Sequence, residues 1–123
     1  MIEITKVDHS NLTVQNIEAT IQFYKSLFPF KTRYQKIYNG KPHAILDIPE
    51  TLSLTLYEGE VKKGSVNHFG FHIKNFNQIL SVLKKNKVQC LYGGIVDYKK
   101  SQSIYIKDPN GYEIELSSHF AGK

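Results

Sequence analysis

The sequence is poor in cysteine and in long apolar segments. Cys90 is the only cysteine among 123 residues, so an intrachain disulfide is impossible, and a reducing compartment such as the cytoplasm is the simplest location. No apolar run approaches the roughly 20 residues that span a bilayer. The first residues also lack the apolar segment of a secretory signal. These absences predict a cytoplasmic protein with no membrane partner.

Arginine is nearly absent although the chain is basic. The formal net charge is +5, yet Arg33 is the only arginine among 16 basic residues. Proteins that read nucleic acid rely on arginine for bidentate contacts to phosphates and bases, and the lysines here are scattered. The charge therefore predicts a solvated surface and no nucleic-acid partner, and it is compatible with a small anionic substrate.

The first half of the chain predicts one strand, one helix and three more strands. Residues 2–9 have the pattern of a strand that ends at His9. Asn16 is a candidate cap for a helix whose apolar stripe begins at Ile17 and which should end before Pro29. Further strands are predicted over residues 30–38, 42–48 and 52–58, with the Asn39-Gly40 turn between the first two of these.

The second half repeats this order. A strand over residues 66–73 carries His68, Asn75 is a candidate cap for a helix beginning at Phe76, and strands follow at 94–98, 102–107 and 112–117. Each helix begins eight residues after its histidine, His9 or His68. The repeat predicts an α+β fold of two βαβββ modules, residues 1–60 and 66–118, joined by a lysine-rich linker at 60–65. Because neither half has room for its own core, residues 1–123 are predicted to form a single domain.

The last hairpin places two carboxylates on one face. Asp-Pro-Asn-Gly at 108–111 predicts a turn between two alternating strands. Because successive side chains of a strand point to opposite faces, Glu113 and Glu115 are expected on the face opposite Ile114 and Leu116. A carboxylate on the concave face of a sheet needs a partner, and a metal ion is one such partner.

These segments resemble the vicinal oxygen chelate superfamily, which includes glyoxalase I, extradiol dioxygenases, fosfomycin-resistance thiol transferases and bleomycin-binding proteins. The similar stretches are Asp8–Val14, Ile21–Tyr24, Asn67–Ile73 and Tyr105–Leu116. The resemblance implies curved mixed sheets around a central cleft that holds a metal. It also implies that small members pair as homodimers.

The resemblance implies a ligand set of His9, His68 and Glu115. Two imidazoles and a carboxylate suit one divalent ion per site, Fe, Mn, Ni, Co or Zn, that holds a small oxygen-bearing substrate. Glu113 lies on the same face of the strand as Glu115, but the spacing from the turn favours Glu115 as the metal ligand. His72 lies roughly 13 Å along the strand from His68, too far to share its metal. We interpret His72 as a core residue and retain it as a candidate for substrate contact.

Lyase, dioxygenase and thiol-transferase chemistry all remain open. Glyoxalase I enzymes carry a fourth ligand, a glutamate, where Ser53 aligns best here, and Glu58 would serve only if the strand shifted. Extradiol dioxygenases share a tyrosine ten residues before the ligand, as Tyr105 stands before Glu115. They also need a base histidine before the last hairpin, and no histidine occurs between His72 and His119.

The fosfomycin transferases share the three-ligand set and a hairpin like Ser103-Ile104-Tyr105. These enzymes have a different residue at the position of Asn11. They also continue past the last strand into a segment that supplies an arginine, whereas this chain stops eight residues after Glu115. We predict Tyr105 as catalytic and Asn11, Ser103, Tyr57 and His72 as substrate contacts. The alternative is a metal-free binding protein of the bleomycin type, whose aromatic groove would use Tyr34, Tyr38 and Tyr57.

Overall fold

The computed structural model describes residues 1, 3–64 and 66–120, which fall into two compact units, Met1–Val61 and Lys62–Lys123. The first unit contains β1 (Ser10–Val14), α1 (Ile17–Leu27), β2 (Lys31–Tyr38), β3 (Lys41–Ile48) and β4 (Leu52–Glu58). The second contains β5 (His68–His72), a 3-10 turn (Phe76–Gln78) that leads into α2 (Ile79–Lys85), β6 (Ile95–Asp97), β7 (Gln102–Lys107) and β8 (Glu113–Ser117). The predicted α+β fold with two βαβββ modules is confirmed. The single shared domain stays a prediction, as does the linker, whose residue 65 lies outside the described residues.

The two units have the same sheet topology. The strand orders are β1-β4-β3-β2 and β5-β8-β7-β6, and in each sheet the first strand of the unit runs parallel to its last strand. The other neighbouring strands are antiparallel. This topology places the carboxylates of β8 directly beside the β5 strand that carries His68.

One face of the first sheet is covered by α1. The Asn16 side chain accepts a hydrogen bond from the Ala19 amide at 2.8 Å, which confirms it as the helix cap. The helix ends at Leu27, before Pro29, as predicted. It contacts β3 and β4, and its buried residues lie with alternate residues of these strands in the core, namely Ile17, Ile21, Tyr24, Ala44, Leu46, Leu54 and Leu56. The opposite face, which carries Thr55 and Tyr57, is therefore left for other contacts.

The second unit has a shorter helical segment. Its sheet buries Ile104, Ile106, Ile114 and Leu116, while the helix buries only Ile79 and Leu83. The predicted capping by Asn75 is wrong, because its side chain makes no capping bond and instead donates to the Gln78 side chain at 3.0 Å. A 3-10 turn at Phe76–Gln78 shifts the start of α2 to Ile79.

The first strand differs most from its prediction. It was predicted over residues 2–9, of which residue 2 lies outside the described residues, but β1 begins at Ser10. Its Leu12 and Val14 are buried, whereas Ile4 and Val7 are exposed. The alternation before His9 was therefore misleading, since only residues from 10 onward pair with β4.

The hairpin turn before β8 forms as predicted. The Asp108 carboxylate accepts from the amides of Asn110 (2.8 Å) and Tyr112 (3.0 Å), which closes the turn. Gly111 takes a φ of +87°, a value that glycine adopts without strain. Over the described part of the chain, no helix has the length and apolar character needed to cross a membrane.

Candidate metal and substrate site

His68 and Glu115 meet on the face of the second sheet opposite the core residues Ile114 and Leu116. The Nε2 atom of His68 lies 3.2 Å from Oε2 of Glu115. In the strand register His68 pairs with Glu113, so the contact to Glu115 is diagonal. Both side chains remain partly exposed, at 39% and 22%. The structure thus brings together two of the three predicted ligands.

Gly70 provides the space for this diagonal contact. It pairs with Glu115 in the register and shares the face of His68 and His72. A Cβ built at Gly70 would lie 3.7 Å from the Glu115 Cβ and 4.0 Å from Oε2, an ordinary contact distance. A larger side chain would fill the space beside the carboxylate. The missing side chain therefore leaves the Glu115 carboxylate accessible on this face.

Neighbouring groups orient both side chains. The Asn67 side-chain oxygen lies 2.6 Å from Nδ1 of His68, which leaves Nε2 facing Glu115. The buried Ser103 hydroxyl donates to Oε1 of Glu115 at 2.6 Å, which leaves Oε2 facing His68. Metal-binding histidines and carboxylates are commonly oriented by such secondary hydrogen bonds.

The geometry of this pair fits a shared divalent ion. Two ligand atoms at about 2.1 Å from one ion lie about 3.0–3.4 Å apart at the usual coordination angles. The observed 3.2 Å falls in that interval. Imidazole nitrogen and carboxylate oxygen together suit a first-row divalent metal.

Tyr105 stands directly across from Glu115. It pairs with Glu115 in the register of β7 and β8, and its ring centroid lies 6.0 Å from that of His68. Its hydroxyl lies 2.6 Å from the hydroxyl of Tyr98. Burial, this hydrogen bond and the charge of Glu115 raise the pKa of Tyr105 well above the usual value. Tyr105 is therefore a neutral phenol that can donate a hydrogen bond beside the carboxylate.

A cavity of about 800 Å³ opens above this pair within the second unit. Basic groups contribute to its wall, namely Lys99, Lys100, His72 and His119, and its apolar lining includes Phe71 and Phe120. The interpretation of His72 as a core residue is wrong, because its side chain is exposed and lines this cavity, with its ring centroid 6.3 Å from that of Phe120. Ser103 also differs from its predicted role, since its hydroxyl is bonded to Glu115 and the residue is fully buried.

His9 belongs to the other unit and lies just before β1. Its Nδ1 is 2.7 Å from the Asp8 carboxylate, which leaves Nε2 available, as in His68. Within residues 1, 3–64 and 66–120, no group of three or more His, Cys, Asp or Glu side chains is placed to hold a metal. The role of His9 as third ligand therefore stays a prediction.

Asn11 and Tyr57 lie on the face of the first sheet that α1 does not cover. Asn11 is exposed and pairs with Thr55. Tyr57 stacks on His43 at 4.1 Å between ring centroids. His43 is not among the residues predicted for the site, although the alternation of side chains in its strand could have assigned it to the face of Tyr57.

The strand register also corrects the position equivalent to the glyoxalase fourth ligand. Asn11 and Gly70 each stand two residues after their histidine, and they pair with Thr55 and Glu115 respectively. Thr55 is therefore the equivalent of Glu115, and the alignment with Ser53 was wrong by two residues. This position still lacks a carboxylate.

Two side chains near that position have other contacts. Ser53 donates to Asp47 at 2.5 Å and accepts from Arg33 at 3.0 Å. Arg33 also holds Asp47 through two hydrogen bonds, of 2.7 and 3.0 Å, which lowers the pKa of that carboxyl group. Glu58 accepts from the Ile17 amide at 3.0 Å at the start of α1. Its carboxylate therefore has a structural contact of its own.

Comparison with known proteins agrees with this fold. The family model of the Glyoxalase/Bleomycin resistance protein/Dioxygenase superfamily matches residues 6–116, and the chain belongs to this superfamily. A metallothiol transferase FosB of Staphylococcus epidermidis is 32% identical over 94% of this chain and 82% of its own length. A trivalent organoarsenical cleaving enzyme of a Bacillus species is 30% identical over 90% of this chain and 71% of its own length.

Among solved structures, the fosfomycin resistance protein FosX of Listeria monocytogenes shares the fold. Its E126Q mutant, crystallised with Mn(II) and 1S,2S-dihydroxypropylphosphonic acid, superposes with a TM-score of 0.79 at 19% identity. The match covers 96% of this chain and 95% of that one.

Proposed function

We propose that the protein is a divalent-metal-dependent transferase that adds a thiol to a small oxygen-bearing molecule of the fosfomycin type. The observation that carries this proposal is the Glu115–His68 pair, backed by Ser103 and placed in a cavity with a basic wall. The similarity to the metallothiol transferase FosB supports the choice of reaction within the superfamily.

The proposed metal ligands are His9, His68 and Glu115. Each histidine has its Nδ1 engaged by a neighbouring side-chain oxygen and its Nε2 left for the ion. A bound Fe, Mn, Ni, Co or Zn ion would act as a Lewis acid toward a substrate oxygen. The Mn(II) in the FosX crystal makes manganese the first ion to test.

The remaining residues have roles that their surroundings support. In the reaction, the thiol sulfur forms a bond to an oxirane carbon as the carbon–oxygen bond breaks, and the released oxygen takes up a proton. Tyr105, held neutral beside Glu115, donates a hydrogen bond to that oxygen. Lys99 and Lys100 attract the anionic end of the substrate, and His72 lines the same cavity as a candidate hydrogen-bond partner. Asn11 and Tyr57 remain candidates for contact with either substrate.

The metal-free binding protein is the second candidate. The aromatic side chains that it requires, Tyr34, Tyr38 and Tyr57, do cluster around His43 on the first sheet. The Glu115–His68 pair weighs against it, because a binder of that type has no need for an oriented carboxylate and imidazole.

The test is a product assay with purified protein, Mn(II), fosfomycin and L-cysteine, read by mass spectrometry and phosphorus NMR. We expect a one-to-one thiol adduct that forms only when the metal is present. Lys99→Gln with Lys100→Gln should raise KM for fosfomycin more than it lowers kcat. The matched control is Lys84→Gln with Lys85→Gln, at the end of α2 and away from the cavity.

Two results would contradict the proposal. Saturable binding of fosfomycin without metal and without product would favour the binding protein. Cleavage of a trivalent organoarsenical in a parallel assay, with no thiol adduct, would favour the activity named for the Bacillus relative.

The proposal includes a homodimer and a cytoplasmic location. Strand β2 lies at the edge of its sheet and exposes Ile37 (67%), which supports a contact between copies. The single cysteine supports a reducing compartment. Light scattering coupled to size exclusion would measure the mass, and a value of one chain would remove the dimer from the proposal.

A further inference from the structure

The first unit carries an aromatic cluster around a buried histidine, on the sheet face that α1 leaves free. His43, on β3, is only 4% exposed. Its ring stacks on Tyr57 and lies 5.3 Å from the Tyr34 ring and 5.7 Å from the Tyr38 ring. These four residues are called the His43 cluster below.

One nitrogen of His43 has no partner. The Tyr34 hydroxyl lies 3.2 Å from Nδ1, but Nε2 is buried and has no hydrogen-bond partner among the described residues. Native proteins seldom leave a buried polar atom unpaired, because the atom has lost its water without compensation. The unpaired Nε2 therefore requires an explanation.

The contact with Tyr34 assigns the proton. A phenol is a stronger donor than a neutral imidazole, so we assign the Tyr34 hydroxyl as donor to Nδ1 and place the imidazole hydrogen on Nε2. Burial, with a smaller contribution from the charge of Lys36, lowers the pKa of His43 and keeps the ring neutral. The cluster thus holds a buried N–H donor without an acceptor.

The charge of Lys36 beside the cluster indicates which kind of group would accept the hydrogen of His43 Nε2. Lys36 pairs with His43 in the register of β2 and β3, and its Nζ lies 4.8 Å from the Tyr34 ring centroid and 6.0 Å from that of Tyr38. A donor N–H beside an ammonium group is complementary to an oxygen anion. Tyr38 is half-exposed and ends β2 next to the Asn39-Gly40 turn, so it is the most exposed of the three tyrosines and marks the side from which a ligand would approach.

We propose that the His43 cluster binds a small organic carboxylate. One carboxylate oxygen accepts the hydrogen of His43 Nε2, Lys36 pairs with the charge, and the apolar body of the ligand packs against Tyr38 and Tyr57. This site lies within the first unit alone. It shares Tyr57 with the substrate contacts proposed above, but it requires neither the metal nor the thiol. A negative product assay therefore leaves this site standing, and an unshifted His43 signal leaves the proposed transferase standing.

The test is histidine-ring NMR on the full-length chain, labelled with nitrogen-15 and saturated with Zn(II) to avoid paramagnetic broadening. The probe is 3-phenylpropionate, and the matched neutral probe is 3-phenylpropionamide. We expect the acid to shift the His43 Nε2 signal and the ring signals of Tyr38 and Tyr57, and the amide to leave them unchanged. The variant Lys36→Gln should weaken binding of the acid at least about fivefold, since one charge-assisted contact is lost.

The control variant is Lys31→Gln, at the other end of β2 opposite Asp47. It should bind the acid as the unmodified protein does. Equal binding of acid and amide, or equal loss in both lysine variants, would overturn the proposal. So would an Nε2 signal that ignores the acid and shows cross-relaxation to a long-lived water, because that water would be the missing partner. Replacement of His43 itself puts the core of the sheet at risk, so the lysine pair carries the test.

Discussion

The two units have one topology but different chemistry on equivalent faces. In the second unit Gly70, Glu115 and Tyr105 lie side by side across three strands. The equivalent positions in the first unit are Asn11, Thr55 and Ile45. One copy of the module thus carries an acid and a phenol with space beside them, while the other carries no acid at this point. A repeated scaffold can keep its core and vary only the uncovered face, because alternation in a strand separates the two.

A second pair of positions shows the same divergence. Ser103 and Ser117 pair in the second unit, where His43 and Tyr57 pair in the first. The serine at 103 orients the proposed metal ligand, whereas the histidine at 43 forms the centre of an aromatic cluster. Equivalent positions of the two modules therefore carry side chains of different chemistry.

We expect the largest effects on stability from substitutions at equivalent core positions of the two units. Leu54 and Ile114 are equivalent and almost fully buried. Replacement of either by alanine should lower the free energy of unfolding by about 2–5 kcal/mol, since each leaves a cavity in a close-packed sheet. Urea denaturation would measure both. A loss below about 1 kcal/mol in one variant would show that the two cores are not equivalent.

On the sheet faces where the two units differ, we expect substitutions to change metal affinity. Ser103→Ala removes the hydrogen bond that orients Glu115, so affinity for Mn(II) should fall by about 10-fold or more. Ser117→Ala is the control, since the Ser117 hydroxyl donates to the His119 carbonyl instead. Isothermal titration calorimetry would compare the two variants. Equal affinities would remove the orienting role from Ser103.

We expect the smallest effects on stability from substitutions of the asparagines that precede the two helical segments. Asn16→Ala removes a hydrogen bond to the Ala19 amide and should cost about 1 kcal/mol of unfolding free energy. Asn75→Ala should cost much less, because its side chain caps no helix amide. Thermal unfolding of both variants would check this. Equal losses would contradict the difference described between the two helical segments.

Much of this architecture was predictable because local signals were strong. Asn39-Gly40 and Asp-Pro-Asn-Gly determine two hairpins through their backbone preferences, and Pro29 marks the end of α1. Alternation correctly placed Glu115 on the face opposite Leu116. These signals act over a few residues, so sequence alone could read them.

The errors occurred where partners distant in sequence decide the outcome. Residues 3–9 alternate like a strand, but pairing with β4 begins only at Ser10. Thr55 could be recognised as the equivalent of Glu115 only from the pairing between strands. The buried, unpaired nitrogen of His43 belongs to a ring that contacts three tyrosines from neighbouring strands, an arrangement that no motif reveals.

Manganese binding to the unmodified protein, Glu115→Gln and Glu113→Gln is the most direct test of the proposed metal site. Glu113 lies on the same face but accepts from the Tyr92 hydroxyl at 2.5 Å, so it is a matched control. The proposed site predicts about one ion per chain, a loss of about 100-fold or more in affinity for Glu115→Gln, and unchanged affinity for Glu113→Gln. Unchanged binding in Glu115→Gln, or no binding in the unmodified protein, would contradict the metal site.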